Sequence, residues 1–347
     1  MDQPALYRKY RPTTFAEVVG QDQVVAVLEG ALIRNQIVHA YLFAGSRGTG
    51  KTSVARILAR RLGTSPNDLY EIDAASNRGI DEIRELREAV RTFPFESKYK
   101  IYIVDEVHML TREAFNALLK TLEEPPDHVI FILATTEVHK LPETIISRCQ
   151  TLTFRQPPVE ALVEVLKRVA KAEGWQVAAE AATLLALLGD SSFRDALGVL
   201  QQVMSVTKGK VIGLAAVEQA TGAPRHRLVE LFLAAAAAGN LEQILGAVRQ
   251  TTAANHDLKI WLKLIMRQLR LALILKFAPA LGQELTASRP AAELKFLAEL
   301  TRAPAAAKLV TLLRELLTVY DELDRATLPE LPLELVLIKL FGQDPKS

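Results

Sequence analysis

The amino-acid sequence predicts an α/β fold with a parallel sheet in its first half and helices alone in its second. Between residues 40 and 134, short apolar runs alternate with segments of helical periodicity. These runs are apolar almost throughout, which fits strands buried on both faces of a parallel sheet. After residue 156 the helical periodicity continues with almost no strand signal.

Each predicted strand leads into a predicted helix or turn. The strands are expected at Ala40–Ala44, Leu69–Asp73, 100–104 and 129–134. Helices are expected at 51–62, around Ile80, Ile83, Leu86 and Val90, and at 111–123, where Pro125 and Pro126 end the pattern. This order is typical of parallel α/β domains.

Two changes of character along the chain predict three domains. The α/β pattern ends at Gln156-Pro157-Pro158, and helices broken near Gly174, Gly189 and Gly209 follow it. From about residue 223 the helices become longer and rich in alanine and leucine. We therefore predict an α/β domain at 1–157, a helical domain at 158–222 and a second helical domain at 223–347.

Composition excludes several classes of protein. The net charge of +2 argues against a surface coated for nucleic-acid binding, although it leaves room for a local basic track. Cys149 is the single cysteine, which excludes a disulfide scaffold and a cysteine-based structural zinc site. No run approaches the roughly 18 apolar residues of a membrane span. We expect no membrane contact and a cytoplasmic location.

The segment Gly45 to Thr52 matches the phosphate-loop pattern G-x-x-x-x-G-K-[ST]. Glycines let the backbone N–H groups approach phosphate oxygens, and the following helix points its positive end at the same anion. Lys51 supplies positive charge to the β- and γ-phosphates, and the Thr52 hydroxyl is a magnesium ligand. ATP and Mg²⁺ are the expected cofactors.

Acidic residues follow the third predicted strand. Asp105 is expected to help hold magnesium, and Glu106 to orient and deprotonate the attacking water. Thr135 and Thr136 end the fourth strand, where they fit a γ-phosphate sensor and ordinary strand threonines about equally. On position alone, Arg148 fits a surface salt bridge better than a catalytic role.

The segments together resemble the AAA+ clamp-loader ATPases, and among them the gamma/tau family of bacterial DNA polymerase III. The resemblance covers roughly residues 5–222. It rests on Tyr7 to Pro12, Phe15, Val18 to Gln21, the phosphate loop, Asp73 to Asn77, Asp105 to Leu110, Phe115 to Pro126, Ala134 to Thr136, Leu141-Pro142, Ser147 to Cys149 and Arg194 to Leu197.

The resemblance implies roles for individual residues. Arg148 is the arginine finger that reaches the ATP of an adjacent subunit, Arg194 is a second sensor, and Thr136 is the first sensor. With Lys51 and Glu106 these form the catalytic set, and Thr52 and Asp105 form the magnesium set. The ATP-binding set is Tyr7, Arg8, Arg11, Val19, Gly20, Gly45, Ser46, Gly48, Thr49, Gly50, Lys51, Thr52 and Ser53.

The resemblance also implies architecture and partners. The fold is a RecA-like domain, a helical lid and a helical collar through which subunits self-associate. The activity is an ATPase working with the DNA polymerase III holoenzyme, a DNA-directed DNA polymerase. Its partners are primer–template DNA, a sliding clamp, and delta-like and delta-prime-like subunits. Asn77, Arg78 and Lys120 are candidate DNA contacts, each about equally explained as a solvated residue.

Two departures and three alternatives remain. The family's four-cysteine zinc module is replaced by Gly63 to Asp68, and no tau-length extension follows the collar. The missing module leaves open a protein like the zinc-free small subunit of replication factor C. A structural clamp-loader subunit without ATPase activity is disfavoured by the intact phosphate loop. A branch-migration helicase is disfavoured by Ser147-Arg148-Cys149.

Overall fold

The apolar runs of the first half form a parallel sheet, as predicted. The computed structural model describes residues 4–76, 86, 88–224, 226–254, 256–286 and 291–342. The strands are β1 (Ala40–Ala44), β2 (Leu69–Asp73), β3 (Lys100–Asp105), β4 (Val129–Thr135) and β5 (Gln150–Thr153). They lie in the order β2-β3-β4-β1-β5, and every neighbouring pair is parallel.

Strand β5 is the element that the sequence prediction missed. Only Leu152 of its four residues is buried, because β5 is an edge strand beside β1. A polar, four-residue run without alternating apolar positions carries no strand signal of its own. The strand is therefore recognised only in the structure, by its hydrogen-bonded pairing with β1.

Helices cover both faces of the sheet. The helices of this part are α1 (Leu6–Lys9), α2 (Asp22–Ile33), α3 (Lys51–Arg61), α4 (Arg112–Glu123) and α5 (Glu143–Ile146). One buried cluster joins α2 and α3 to one side of the strands, and a second joins α4 and α5 to the other. Apolar residues on both sides of β1, β3 and β4 explain why their sequences lack polar alternation.

Between β5 and Gly222, the described residues form four helices and two very short strands. The helices are α6 (Val159–Ala172), α7 (Ala179–Leu188), α8 (Phe193–Val206) and α9 (Leu214–Thr221). The strands β6 (Gln176–Val177) and β7 (Val211–Ile212) have two residues each. The helices end close to Gly174, Gly189 and Gly209, as predicted from the sequence.

The described residues in the last part of the chain form helices and connecting segments, without a strand. It contains α10 (His226–Ala238), α11 (Leu241–Ala253), α12 (Leu258–Phe277), α13 (Pro279–Thr286), α14 (Ala291–Arg302), α15 (Lys308–Glu322) and α16 (Leu331–Phe341). Trp261 of α12 is fully buried and meets the Phe232 ring edge-on at 5.1 Å. The other buried residues of this core come from α10, α11, α14, α15, α16 and the rest of α12, with Ala306 and Leu323 from connecting segments.

The chain divides into two compact units, Met1–Gln201 and Gln202–Ser347. The first unit contains the five-stranded sheet and the first helices after it, and the second contains the buried cluster around Trp261. The three-domain division at residues 157 and 222 stays a prediction. None of the described helices combines the length and apolar character needed to cross a bilayer.

Candidate ATP site

The phosphate loop lies between β1 and α3, at the carboxyl edge of the sheet. Gly48 and Gly50 have φ of 72° and 101°, in the left-handed region that favours glycine. A Cβ on Gly48 would lie 1.9 Å from Ser192 Oγ, so this position also leaves no space for a side chain. The loop is therefore a backbone cradle whose shape depends on glycine.

Lys51 folds back over this cradle. Its Nζ donates to the carbonyl oxygens of Gly45 at 2.7 Å and Ser46 at 2.8 Å, and the residue is only 6% exposed. Burial lowers the pKa of Lys51, while the charges of Glu106 and Asp105 oppose that shift. The ammonium lies where an anionic phosphate would compensate its charge.

The hydroxyl and carboxylate expected to hold magnesium are in direct contact. Thr52 Oγ1 donates to Asp105 Oδ2 at 2.7 Å, and both residues line one cleft. Oxygen atoms of this kind are the ligands that Mg²⁺ prefers, together with phosphate oxygens. The side chains of the loop and of β3 thus fit Mg²⁺-ATP.

Glu106 follows Asp105 and faces the same cleft. Its φ of 49° is in the left-handed region, and its backbone N–H donates to Asp105 Oδ1 at 3.0 Å. Thr136 Oγ1 donates to Glu106 Oε2 at 3.1 Å. Thr136 therefore contacts the predicted base, although it does not line the cleft itself.

The helical segment after β5 closes one side of the cleft. The N–H of Phe193 donates to the carbonyl oxygen of Gly48 at 3.2 Å, and Arg194 follows Phe193 on α8. The Arg194 guanidinium lies 5.0 Å from the centre of the Tyr7 ring. The hydrogen bond from Arg8 lowers the pKa of Tyr7, with a smaller contribution from Arg194.

Most of the predicted binding residues line this cleft. The lining residues from the predicted sets are Tyr7, Arg11, Val19, Gly48, Thr49, Gly50, Lys51, Thr52, Ser53, Asp105, Glu106 and Arg194. Arg8, Gly20, Gly45 and Ser46 do not line it, although Gly45 and Ser46 accept hydrogen bonds from Lys51.

Arg148 lies apart from the cleft. Its guanidinium pairs with Glu123 Oε1 at 2.6 Å and donates to the Thr144 carbonyl at 2.7 Å. It lines a separate groove at the opposite edge of the sheet, where β1, β4 and β5 begin. Among the candidate DNA contacts, Lys120 is exposed on α4, whereas Asn77 and Arg78 lie outside the described residues.

Sequence reasoning gave no site role to several residues that complete the site. Val165, Arg168 and Leu197 line the cleft from α6 and α8. The buried carboxamide of Gln21 contacts the carbonyl of Thr49 at 3.4 Å and both backbone groups of Arg155. These contacts join positions that are far apart in the sequence, so local spacing carries no signal for them.

Comparison with known proteins gives matches to family models, to a known structure and to named relatives. A family model described as "DNA polymerase III, delta subunit" matches residues 63–158, and one described as "DNA polymerase III subunits gamma and tau domain III" matches residues 212–346. The Thermotoga maritima RuvB Holliday junction branch migration motor is a structural neighbour, with a TM-score of 0.53 and 22% identity. That likeness covers 65% of this chain and 78% of that chain, and it concerns the fold alone.

Several DNA polymerase III subunits are similar to this chain in sequence over most of its length. DNA polymerase III subunit tau of Bacillus subtilis is 36% identical over 368 residues, covering all of this chain and 65% of the relative. Subunit tau of Escherichia coli is 37% identical over 312 residues, covering 83% of this chain and 48% of the relative. The gamma/tau subunit of Mycoplasma pneumoniae is 42% identical over 258 residues, covering 69% and 38%. The chain thus spans less than two thirds of these relatives.

Fold and site together define a P-loop nucleotide-binding protein of the AAA+ type. Within this class, the sequence similarity to the tau subunits and the match to gamma and tau domain III identify the family. The chain belongs to the gamma/tau family of DNA polymerase III subunits.

Proposed function

We propose that this chain is the ATP-hydrolysing motor subunit of a DNA polymerase III clamp loader, which opens a sliding clamp and loads it onto primer–template DNA. The observation that carries the proposal is the convergence of Lys51, Thr52, Asp105 and Glu106 on one cleft. An inert structural subunit has no need of this set. Loading onto DNA in a bacterial cell implies a cytoplasmic location.

The residues divide the chemistry among themselves. Lys51 and the backbone N–H groups of the loop bind the phosphates, and Thr52 and Asp105 hold Mg²⁺. The metal supplies charge neutralisation at the phosphates when it is bound. Glu106 takes a proton from the attacking water, and Thr136 orients the Glu106 carboxylate through their hydrogen bond. Arg194 approaches the same cleft from α8 and acts as the sensor of the bound nucleotide.

Arg148 serves a different site. Because it lies away from its own cleft, an intramolecular role in catalysis is disfavoured, and an arginine finger for a neighbouring subunit accounts for its position. This assignment requires assembly through the helices beyond residue 222. The expected partners are therefore further copies of this chain, delta-like and delta-prime-like subunits, the clamp and DNA, which is held through backbone phosphates.

The decisive experiment measures ATP turnover of the purified chain assembled with its partner subunits, with and without clamp and primed DNA. Stimulation by both additions is the expected result. Turnover that is indifferent to both would contradict a clamp-loading role. Absence of turnover in every assembly would favour the structural subunit.

A further inference from the structure

Behind Glu106 lies a small polar cluster that the proposed chemistry has not used. It consists of His108, in the turn after Glu106, and of Thr135 and Glu137 at the end of β4. The His108 side chain is only 6% exposed. An imidazole buried to this extent needs partners for both ring nitrogens.

Both nitrogens of His108 have such partners. Nε2 lies 3.0 Å from Glu137 Oε2, and Nδ1 lies 3.0 Å from Thr135 Oγ1. An ionised carboxylate only accepts hydrogen bonds, so Nε2 carries a proton and donates it to Glu137. Thr135 Oγ1 also accepts the backbone N–H of Glu137 at 3.0 Å, so the two residues that contact the ring are themselves joined. The ring is thereby fixed in orientation.

Glu137 is itself held in place. Lys140 Nζ donates to the same oxygen, Oε2, at 2.8 Å. That hydrogen bond outweighs burial and lowers the pKa of Glu137, so the carboxylate is ionised when it faces His108. The order of contacts runs from Lys140 at the surface through Glu137 to the buried imidazole.

The fixed imidazole lies against the predicted base. His108 Nδ1 is 3.5 Å from Glu106 Oε2, the oxygen that also accepts the hydrogen bond from Thr136. The left-handed backbone at Glu106 is a conformation that a non-glycine residue keeps only when its surroundings enforce it. His108 contacts the Glu106 side chain, and the Asp105 carboxylate accepts the hydrogen bond of the Glu106 backbone N–H.

We propose that His108, oriented by Glu137 and Thr135, is a positioning residue that holds the Glu106 carboxylate toward the attacking water. The inference rests on the proposed function, because it requires Glu106 to act as the base. Replacement of His108 should lower turnover and leave nucleotide affinity unchanged, since His108 does not line the cleft. A displacement of about 1 Å in a catalytic group can cost on the order of a hundredfold in rate, so we expect the loss of its support to cost about tenfold to a hundredfold.

The first test compares His108→Ala, His108→Asn and Glu137→Gln with the wild type, in the full chain assembled with its partners. His108→Ala should lower kcat for ATP about tenfold or more and leave KM within about twofold. Asparagine keeps a polar atom near Nδ1, so His108→Asn should restore part of the loss. Glu137→Gln keeps the size of the side chain and should give a smaller loss. The neighbouring exposed residue His139 supplies the control, because His139→Ala should leave kcat unchanged.

A double-mutant cycle separates positioning from general damage to the fold. If His108 acts through Glu106, then His108→Ala should lower the residual kcat of Glu106→Gln by less than about twofold. Thermal melting of each variant checks that it is folded. An unchanged kcat in His108→Ala, or an undiminished loss in the Glu106→Gln background, would overturn the inference alone. Absence of turnover in the wild-type assembly would overturn the proposed function and the inference together.

Discussion

At the scale of single residues, the ammonium of Lys51 donates its hydrogen bonds to neutral groups. Its hydrogen-bond acceptors are two carbonyls of its own loop, and Asp105 and Glu106 act on it through their charges. Phosphate oxygens would replace these neutral acceptors with charged ones and would offset the charge of the ammonium directly. The loop is therefore arranged for an anion before the anion arrives.

Replacing Lys51 should remove activity. We expect Lys51→Ala to reduce ATP turnover by about 100-fold or more, because a preorganised positive charge at the transferred phosphate is lost. Turnover is measured in the assembled complex. Lys167 is exposed on α6, and Lys167→Ala is the matched control with unchanged turnover. Normal turnover in Lys51→Ala would refute the site assignment.

The prediction for Arg148 concerns the site of a neighbouring subunit, whereas that for Lys51 concerns the chain's own site. Arg148→Ala should leave nucleotide binding unchanged and lower DNA-stimulated turnover in the assembled ring by at least about tenfold, since arginine fingers supply large rate factors. Glu123→Ala frees the same guanidinium from its ion pair and should retain turnover. Arg148→Ala is also measured in the isolated chain. If it lowers turnover there as much as in the assembled ring, Arg148 does not act on a neighbouring subunit.

The sequence was most informative where chemistry requires neighbouring residues. Gly48 to Thr52 are consecutive because one loop surrounds one phosphate group, and Asp105 and Glu106 adjoin because one strand end presents both. Arg168 had no such signal, and Gln21 was given no site role, since each contributes through contacts made only after folding. The roles of Thr136, Arg148 and Arg194 came from resemblance, and they stay predictions.

At the scale of elements, Asp68 in the linker between α3 and β2 holds the loop that precedes β3. The Asp68 carboxylate accepts backbone N–H groups of Phe95 at 2.5 Å, Glu96 at 3.0 Å and Ser97 at 2.8 Å. Burial alone would raise the pKa of Asp68, but these donors lower it from 3.8 to about 2. One ionised side chain thus fixes the loop that precedes β3.

Removing that charge should destabilise the protein in a pH-dependent way. Asp68→Asn should lower the free energy of unfolding by about 2 kcal/mol at pH 7, as for hydrogen bonds to a charged group. A depressed pKa stabilises the fold above the unfolded value near 3.8, and this contribution is lost as pH falls toward 2.

Chemical denaturation at several pH values measures this effect. The difference between wild type and Asp68→Asn should shrink between about pH 4 and pH 2. The exposed Asp127 provides the control, and Asp127→Asn should match the wild type throughout. A difference that does not depend on pH would show that shape, and not charge, is what Asp68 contributes.

The elements themselves were predicted unevenly. Strands β1, β3 and β4 could be located to within a residue, because burial on both faces makes them continuously apolar. Strand β5 could not, since Leu152 is its single buried residue. An edge strand takes its structure from its partner, and its own sequence need not record the pairing.

At the scale of the whole molecule, the chain has separate hydrophobic cores in its two units. The buried clusters on the two faces of the sheet belong to the first unit, and the cluster around Trp261 belongs to the second. The candidate ATP site, from Tyr7 to Leu197, lies entirely within the first unit. Ligand binding should therefore stabilise one unit selectively, because only the folded form of that unit binds.

Calorimetry of the full chain tests this separation. We expect two unfolding transitions, of which a nonhydrolysable ATP analogue with Mg²⁺ raises only one. A ligand at about 100 times its Kd adds about 2.7 kcal/mol, which corresponds to roughly 5–10 °C for a unit of this size. Lys51→Ala should abolish the shift and leave the other transition in place. If both transitions move together, the units unfold cooperatively; if neither moves, the cleft does not bind nucleotide in the isolated chain.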